Sequence, residues 1–226
     1  MELMDPLELP WHDESPSRPL ADRIAASVAR RIADGDIEPG ELLTEVEIAA
    51  QHGASRTPTR EAMLTLSSWG LVRLVPKKGS LVTSPTARER RELLSVRSML
   101  ESHAVSRIVG DDELRTSLLT ALDESLVAQA GSVGRPAEFA IHDHAFHLRI
   151  IRHEGNSVVE GIIASLAPRL YRLSRLAVTA PSADLPALHR EHVELADAVR
   201  HQDADTFREL IERHLTSGHE HYEVAP

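Results

Sequence analysis

The 226-residue chain contains no cysteine. That excludes disulfides, thiolate metal sites, iron–sulfur clusters and cysteine nucleophiles. No apolar run approaches the ~18 residues that a membrane span needs, so no membrane contact is expected. The first residues, MELMDPLELPWHDE, are acidic where a secretory signal would be basic, and the expected compartment is the cytoplasm. Lysine is almost missing: the chain has only Lys77 and Lys78, side by side. With 13 Pro, 11 Gly and 42% hydrophobic residues, the composition is globular rather than collagen-like, low-complexity or disordered. At roughly 150 residues per domain the length suits one large domain or two small ones.

The net charge of -10 conceals an uneven distribution. Residues 1–16 carry five acids and no base and read as an acidic tail. Residues 17–84 carry nine bases and eight acids, whereas 85–226 carry sixteen bases and twenty-two acids. Between Ser55 and Lys78 there are five bases and one acid, a local stripe that suits a polyanion even on an acidic protein. Histidine is skewed the other way, with two before residue 85 and eleven after it.

From Leu20, apolar residues at Leu20, Ile24, Val28 and Ile32 recur at helical spacing up to Gly35. Thr44-Glu45-Val46-Glu47 is a capping box that opens a short helix, ended by His52-Gly53. A second helix is expected from Thr57 as N-cap, with Pro58 at its first position, to Trp69-Gly70. A short helix, a glycine turn and a longer helix make a helix-turn-helix pattern. Ser55, Arg56, Thr57, Thr59 and Arg60 cluster at the start of the second helix, the end that a recognition helix inserts into the major groove. Arginine reads guanine bidentately, and the hydroxyls suit phosphates. Leu71–Val75 and Ser80–Thr83 then read as two strands of a wing whose tip is Pro76-Lys77-Lys78-Gly79. Solvated charges on a small helical domain are the plainer alternative; the basic helix start and lysine-tipped hairpin favour double-stranded DNA.

Residues 20–84 resemble the GntR family of bacterial transcription regulators. The resemblance rests on Gly35-Asp-Ile-Glu-Pro-Gly-Glu-Leu42, Ser55-Arg-Thr-Pro-Thr-Arg-Glu-Ala62, Leu66 through Gly70-Leu-Val72, and Gly79. It implies operator contacts by Arg56, Thr57, Arg60 and Gly79. Some members carry an arginine where this chain has Val46, so no DNA contact is assigned there.

Residues 85–226 show no strand alternation. Six helices are expected, at about 86–109, 112–130, 136–153, 157–178, 185–201 and 204–222. Gly110, Gly131, Gly155 and the Pro181–Pro186 stretch punctuate them, and Pro168 is expected to kink the fourth. The fold class is therefore mainly α: a winged helix-turn-helix domain over 17–84, then an all-α antiparallel bundle over 85–226, large enough to bury its own core.

Asp143 and His147 stand four residues apart, on one helix face with Phe146 and Ile150. His192 and His214 each lie eleven residues from Asp203, at the turn between the last two helices. In an antiparallel pair that puts both at one level. One carboxylate and three imidazoles suit Zn, Ni, Mn or Fe(II). Eleven histidines also produce coincidences of spacing, so scattered surface and core histidines remain a rival reading. His142, His144, His153, His189, His219 and His221 are assigned to it.

This segment resembles the FCD effector-binding domain, which defines the FadR-type subfamily of GntR regulators. The matching residues are Arg97 with Glu101, Asp143-His-Ala-Phe-His147, Gly155-Asn156, Glu191-His192 and His214-Leu215. The resemblance implies a divalent metal held by Asp143, His147, His192 and His214. It also implies a small carboxylate effector that completes the coordination, with Arg97 facing it as a guanidinium fork suited to a carboxylate. Arg149, Arg152, Arg169, Arg172 and Arg175 are weaker candidates. The expected protein is a homodimeric repressor of a palindromic operator, controlled by a small organic acid, with no catalytic residues. The rivals are a metal-dependent enzyme fused to a DNA-binding domain and a direct metal sensor. The first lacks a separate general base placed near the metal.

Overall fold

In a computed structural model, Leu9 and residues 17–220 are described, with side chains through residue 216. Of the expected acidic tail only Leu9 falls among them, and it is buried; the rest lies outside the described residues. The chain divides into two compact units. One comprises residues 8–87 with 164–172, and the other comprises 88–163 and 173 onward.

The first unit begins with α1 (Leu20–Asp34), which buries Ile24, Val28 and Ile32 and ends at Gly35 in the left-handed conformation. Strand β1 (Leu42–Leu43) leads into α2 (Glu45–Gln51), whose start carries the full reciprocal Thr44–Glu47 capping box. Helix α3 (Arg56–Ser68) packs on α1 and α2 through Thr59, Ala62, Met63 and Leu66. It begins earlier than the sequence suggests, because Ser55 rather than Thr57 is the N-cap. Pro58 is tolerated at the third helical position, where the N–H has no intrahelical acceptor to lose.

Strands β2 (Val72–Val75) and β3 (Gly79–Val82) form the wing. The short β1 adds a third strand, giving an antiparallel sheet of order β1-β3-β2. Two residues gave too little alternation to mark β1 in the sequence.

The remaining helices are α4 (Ala87–Ile108), α5 (Asp112–Ser132), α6 (Pro136–His153), α7 (Ser157–Thr179), α8 (Leu185–Arg200) and α9 (Ala204–Glu220); they build the second unit, except that residues 164–172 of α7 belong to the first. All six expected helices are present. Gly131 lies inside α5 rather than ending it, and α7 continues through Pro168 as one helix. Asp111, Asn156 and Asp184 cap α5, α7 and α8 through their side chains. The core holds Phe139, Phe146, Ile150, Leu118, Leu122, Leu195, Val199, Phe207 and Ile211, all fully buried. Helix α5 lies against both α6 and α8, and α8 against α9.

The wing turn explains why its glycine stands where it does. Lys78 N–H donates to Val75 C=O at 3.0 Å, closing a turn in which Pro76 precedes Lys77 at φ 62°. A lysine there costs about 1–2 kcal/mol against glycine, so charge is kept at the tip at the expense of backbone ease. Gly79 sits at φ 133°, and a Cβ on it would lie 2.2 Å from the Leu43 carbonyl oxygen. Gly79→Ala should therefore destabilise the winged unit by more than about 1 kcal/mol, measured by urea denaturation. An unchanged midpoint would mean that β1 gives way freely.

Candidate nucleic-acid interface and metal centre

The start of α3 differs from the other helix starts described above. Ser55 makes no side-chain bond to the helix, and the first turn carries no acid. The positive end of the helix thus stays open, a condition that suits a phosphate. Ser55, Arg56, Thr57 and Arg60 are exposed around it. Thr59 is not. It is fully buried and its hydroxyl donates to Ser55 C=O at 2.9 Å. This corrects its assignment as a DNA contact. Thr59 shares the inward stripe of Ala62, Met63 and Leu66, a spacing legible in the sequence but overridden there by its proximity to the arginines. Lys77 and Lys78 are exposed at the wing tip, and Gly79 is half-buried against β1. Val46 is exposed on α2.

In the second unit Asp143 and His147 on α6, His192 on α8 and His214 on α9 come together, all buried. One donor atom from each lies within 4.8 Å of the others. His192 Nε2 is 3.2 Å from the Nε2 of both His147 and His214, and 3.4 Å from Asp143 Oδ1. Ligands about 2.1 Å from one ion stand about 3.0–3.4 Å apart at octahedral or tetrahedral angles, and the three separations from His192 Nε2 fit a shared cation.

The opposite ring nitrogens decide the tautomers. His147 Nδ1 lies 2.8 Å from Glu101 Oε2, His192 Nδ1 lies 2.7 Å from Gln129 Oε1, and His214 Nδ1 lies 2.6 Å from Glu191 Oε2. Gln129 spends its amide N–H on His142 C=O at 3.3 Å, which leaves its oxygen as the acceptor. Each imidazole accordingly donates from Nδ1, and each Nε2 turns its lone pair toward the others. Outer acceptors of this kind fix ligand orientation at metal sites. Phe146 stacks on His192 with ring centroids 4.7 Å apart.

The electrostatics agree. Burial first, then the Arg97 charge, holds His147 well below the usual imidazole range; burial and then His214 do the same for His192. Both are neutral at physiological pH, as metal ligands must be. Burial acts to raise the Asp143 carboxyl, but His147, His192, Arg97 and His214 together bring it below its ordinary value. Burial raises Glu101 to about 7 against the lowering charge and hydrogen bond of Arg97. The carboxylates of Asp143 and Glu191, with Glu101 when it is ionised, outnumber Arg97 around the imidazoles, and a divalent cation would balance that negative excess.

Arg97 is buried, and its Nε donates to Glu101 Oε1 at 2.9 Å. It lines a small cavity with Asp143, His214, Ser174 and apolar side chains. None of Arg149, Arg152, Arg169, Arg172 and Arg175 lines that cavity. His144 is buried but outside the cluster, and His142, His153 and His189 are half-buried elsewhere. The side chains of His219 and His221 lie outside the described residues. Sequence reasoning gave no role to Glu101, Gln129 or Glu191. Glu101 stands four residues after Arg97, and Glu191 precedes His192 yet serves His214; Gln129 left no signal.

A winged helix-turn-helix followed by a helical bundle with a buried polar centre is the architecture of a DNA-binding regulator. Residues 20–82 match the model for bacterial regulatory proteins of the gntR family, and residues 92–217 match the FCD domain. The chain belongs to the GntR family and is a DNA-binding transcription regulator, not an enzyme. It is 31% identical to an HTH-type transcriptional regulator in an unstable DNA locus of Streptomyces ambofaciens, over 80% of this chain and 75% of that one. It is 34% identical to the gluconate operon transcriptional repressor of Bacillus subtilis over 65% of this chain, and spans 60% of that relative. Two solved structures share the fold, each covering 88% of this chain and 95% of their own. They are E. coli McbR/YncC (TM-score 0.72, 23% identity) and a GntR regulator from a Rhodococcus species (TM-score 0.74, 22% identity). No helix among the described residues is long and apolar enough to cross a membrane.

The buried histidines also set a pH dependence. Unfolded, His147 and His192 take up protons near pH 6.5, while folded they resist, so stability is lost as pH falls below about 6.5. Glu101 works the opposite way between its ordinary 4.5 and its folded value of about 7, adding stability as pH falls. Two groups outweigh one. The urea midpoint of chelator-treated protein should drop between pH 6.5 and about pH 5; a rise over that window would contradict the buried neutral imidazoles.

Proposed function

We propose that this protein is a metabolite-responsive repressor that acts in the cytoplasm as a homodimer on a palindromic operator. In this reading residues 17–84 bind DNA, and residues 85–226 dimerise and bind the effector. Asp143, His147, His192 and His214 hold one divalent ion, of the Zn, Ni, Mn or Fe(II) type that an N/O donor set suits. When bound, the ion supplies a Lewis-acidic anchor for a small carboxylate, and Arg97 holds that carboxylate from the cavity side. The observation that carries the proposal is the convergence of three imidazole Nε2 atoms beside a buried guanidinium. A cation shared by the imidazoles and an anion on the guanidinium together satisfy such a buried polar centre, where each unmet group costs about 1–3 kcal/mol.

Binding at this centre changes operator affinity, a coupling between two sites worth typically about 1–3 kcal/mol. On the DNA side, Arg56 and Arg60 reach base edges from the open end of α3. Ser55 and Thr57 hold phosphates there, as do Lys77 and Lys78 at the wing tip, where Gly79 lets the backbone approach. The gluconate operon repressor among the relatives supports the repressing sign.

The two kinds of DNA interaction separate experimentally. Arg60→Ala should lose about 1–3 kcal/mol of discrimination between operator and unrelated DNA. Replacing both Lys77 and Lys78 by Ala should weaken binding to all sequences alike. It should also flatten the slope of log K against log salt by about 0.9 for each phosphate that the wing no longer holds. Fluorescence anisotropy at several salt concentrations measures both. Wild-type discrimination in Arg60→Ala would sink the recognition-helix assignment. Operator affinity that follows metal concentration, with no organic acid having any effect, would make the ion itself the signal.

A further inference from the structure

The cavity beside the metal centre is lined by Arg97, Asp143, His214 and Ser174, and by Ala177, Val178, Leu188 and Leu215. Two of its polar atoms, Arg97 Nη2 and Ser174 Oγ, are buried and have no hydrogen-bond partner. Arg97 is 2% and Ser174 2% exposed, so water does not satisfy them from outside. A buried polar group without a partner is uncommon and calls for an explanation. The Arg97 guanidinium is held by its Nε bond to Glu101 Oε1, and its Nη2 is left without a partner. The space is small, which favours a short ligand.

Resting on the proposed effector reading, we infer that the effector is a short monocarboxylate with an apolar remainder, and that Ser174 is a residue that determines its specificity. One carboxylate oxygen takes the Arg97 Nη2 donor, and Ser174 Oγ–H donates to the other. The rest of the molecule lies against Ala177, Val178, Leu188 and Leu215. A dicarboxylate would set its second charge against these apolar side chains or against Asp143, with no second cation in the lining. A polyhydroxylated sugar acid would bury hydroxyls that find no partners there. A site that leaves a ligand's polar groups unpaired rejects it strongly, so the lining selects against both classes.

Ser174 also separates a ligand role from a structural one. Removing a hydroxyl that has no partner in the protein should not destabilise the fold and can stabilise it, whereas removing one that bonds a ligand weakens binding.

The test is calorimetric titration of the metal-loaded full-length protein with butyrate, succinate and galactonate. It is repeated on Ser174→Ala, with metal content and thermal midpoint recorded for each protein. Butyrate should bind wild type at least about tenfold more tightly than succinate or galactonate. Ser174→Ala should keep its metal and a thermal midpoint equal to or above wild type, and bind butyrate about tenfold more weakly, the loss of roughly one hydrogen bond to a charged group. Tighter binding of succinate or galactonate overturns the inference and leaves the effector reading standing. Unchanged butyrate affinity in Ser174→Ala does the same, and so does a fall in its thermal midpoint. Failure of every acid to bind the metal-loaded wild type overturns both.

Discussion

Three imidazole lone pairs meet inside the helical unit because the other ring nitrogen of each histidine is committed to an outer acceptor. Glu101, Gln129 and Glu191 draw the Nδ1 protons outward, and the Nε2 atoms turn toward one another and toward Asp143. Much of the unit's interior serves this arrangement. Helix α6 supplies Asp143 and His147 one turn apart, α8 and α9 bring His192 and His214 to one level, and α4 contributes Glu101 and Arg97. Burial keeps two of the imidazoles neutral, and the surrounding carboxylates leave a negative excess that suits a divalent ion. A centre of this kind has strong consequences for the fold, since an ion that binds only the folded bundle adds its binding free energy to folding.

The winged unit follows a different constraint. Its helix α3 must be anchored on one side and left open at one end. Thr59, Ala62, Met63 and Leu66 anchor it, while the uncapped start with Arg56 and Arg60 is exposed. The wing keeps a lysine in a backbone conformation that glycine would adopt more easily, and its true glycine is fixed by the approach of β1 rather than only by a turn. Both features trade local stability for positive charge and close backbone approach on one surface, as a polyanion partner requires.

Much of this was legible in the sequence because helices announce themselves by period and caps. The six helices of the bundle, the Thr44–Glu47 box and the wing hairpin all carried such signals. So did the four clustered residues: the i, i+4 step of Asp143 and His147 and the equal distances of His192 and His214 from Asp203 are consequences of helical geometry. What stayed hidden depended on tertiary packing. Thr59 was read from its basic neighbours although its spacing placed it on the inward stripe. The N-cap at Ser55 competes with Thr57 by only two residues, and the two-residue β1 has no periodicity to detect. Gln129 reaches His192 from 63 positions away, a partnership that no local pattern encodes.

The central claim is that the four side chains form one metal centre rather than a set of satisfied core histidines. The most direct measurement is titration of chelator-treated wild type and His192→Ala with zinc or nickel, followed by isothermal calorimetry and checked by elemental analysis of the dialysed complexes. His192 is the member whose Nε2 touches each of the other three ligands. The account predicts one ion per chain in wild type and loss of that ion, or a fall of at least about tenfold in affinity, in His192→Ala. Identical stoichiometry and affinity in the two proteins would contradict it.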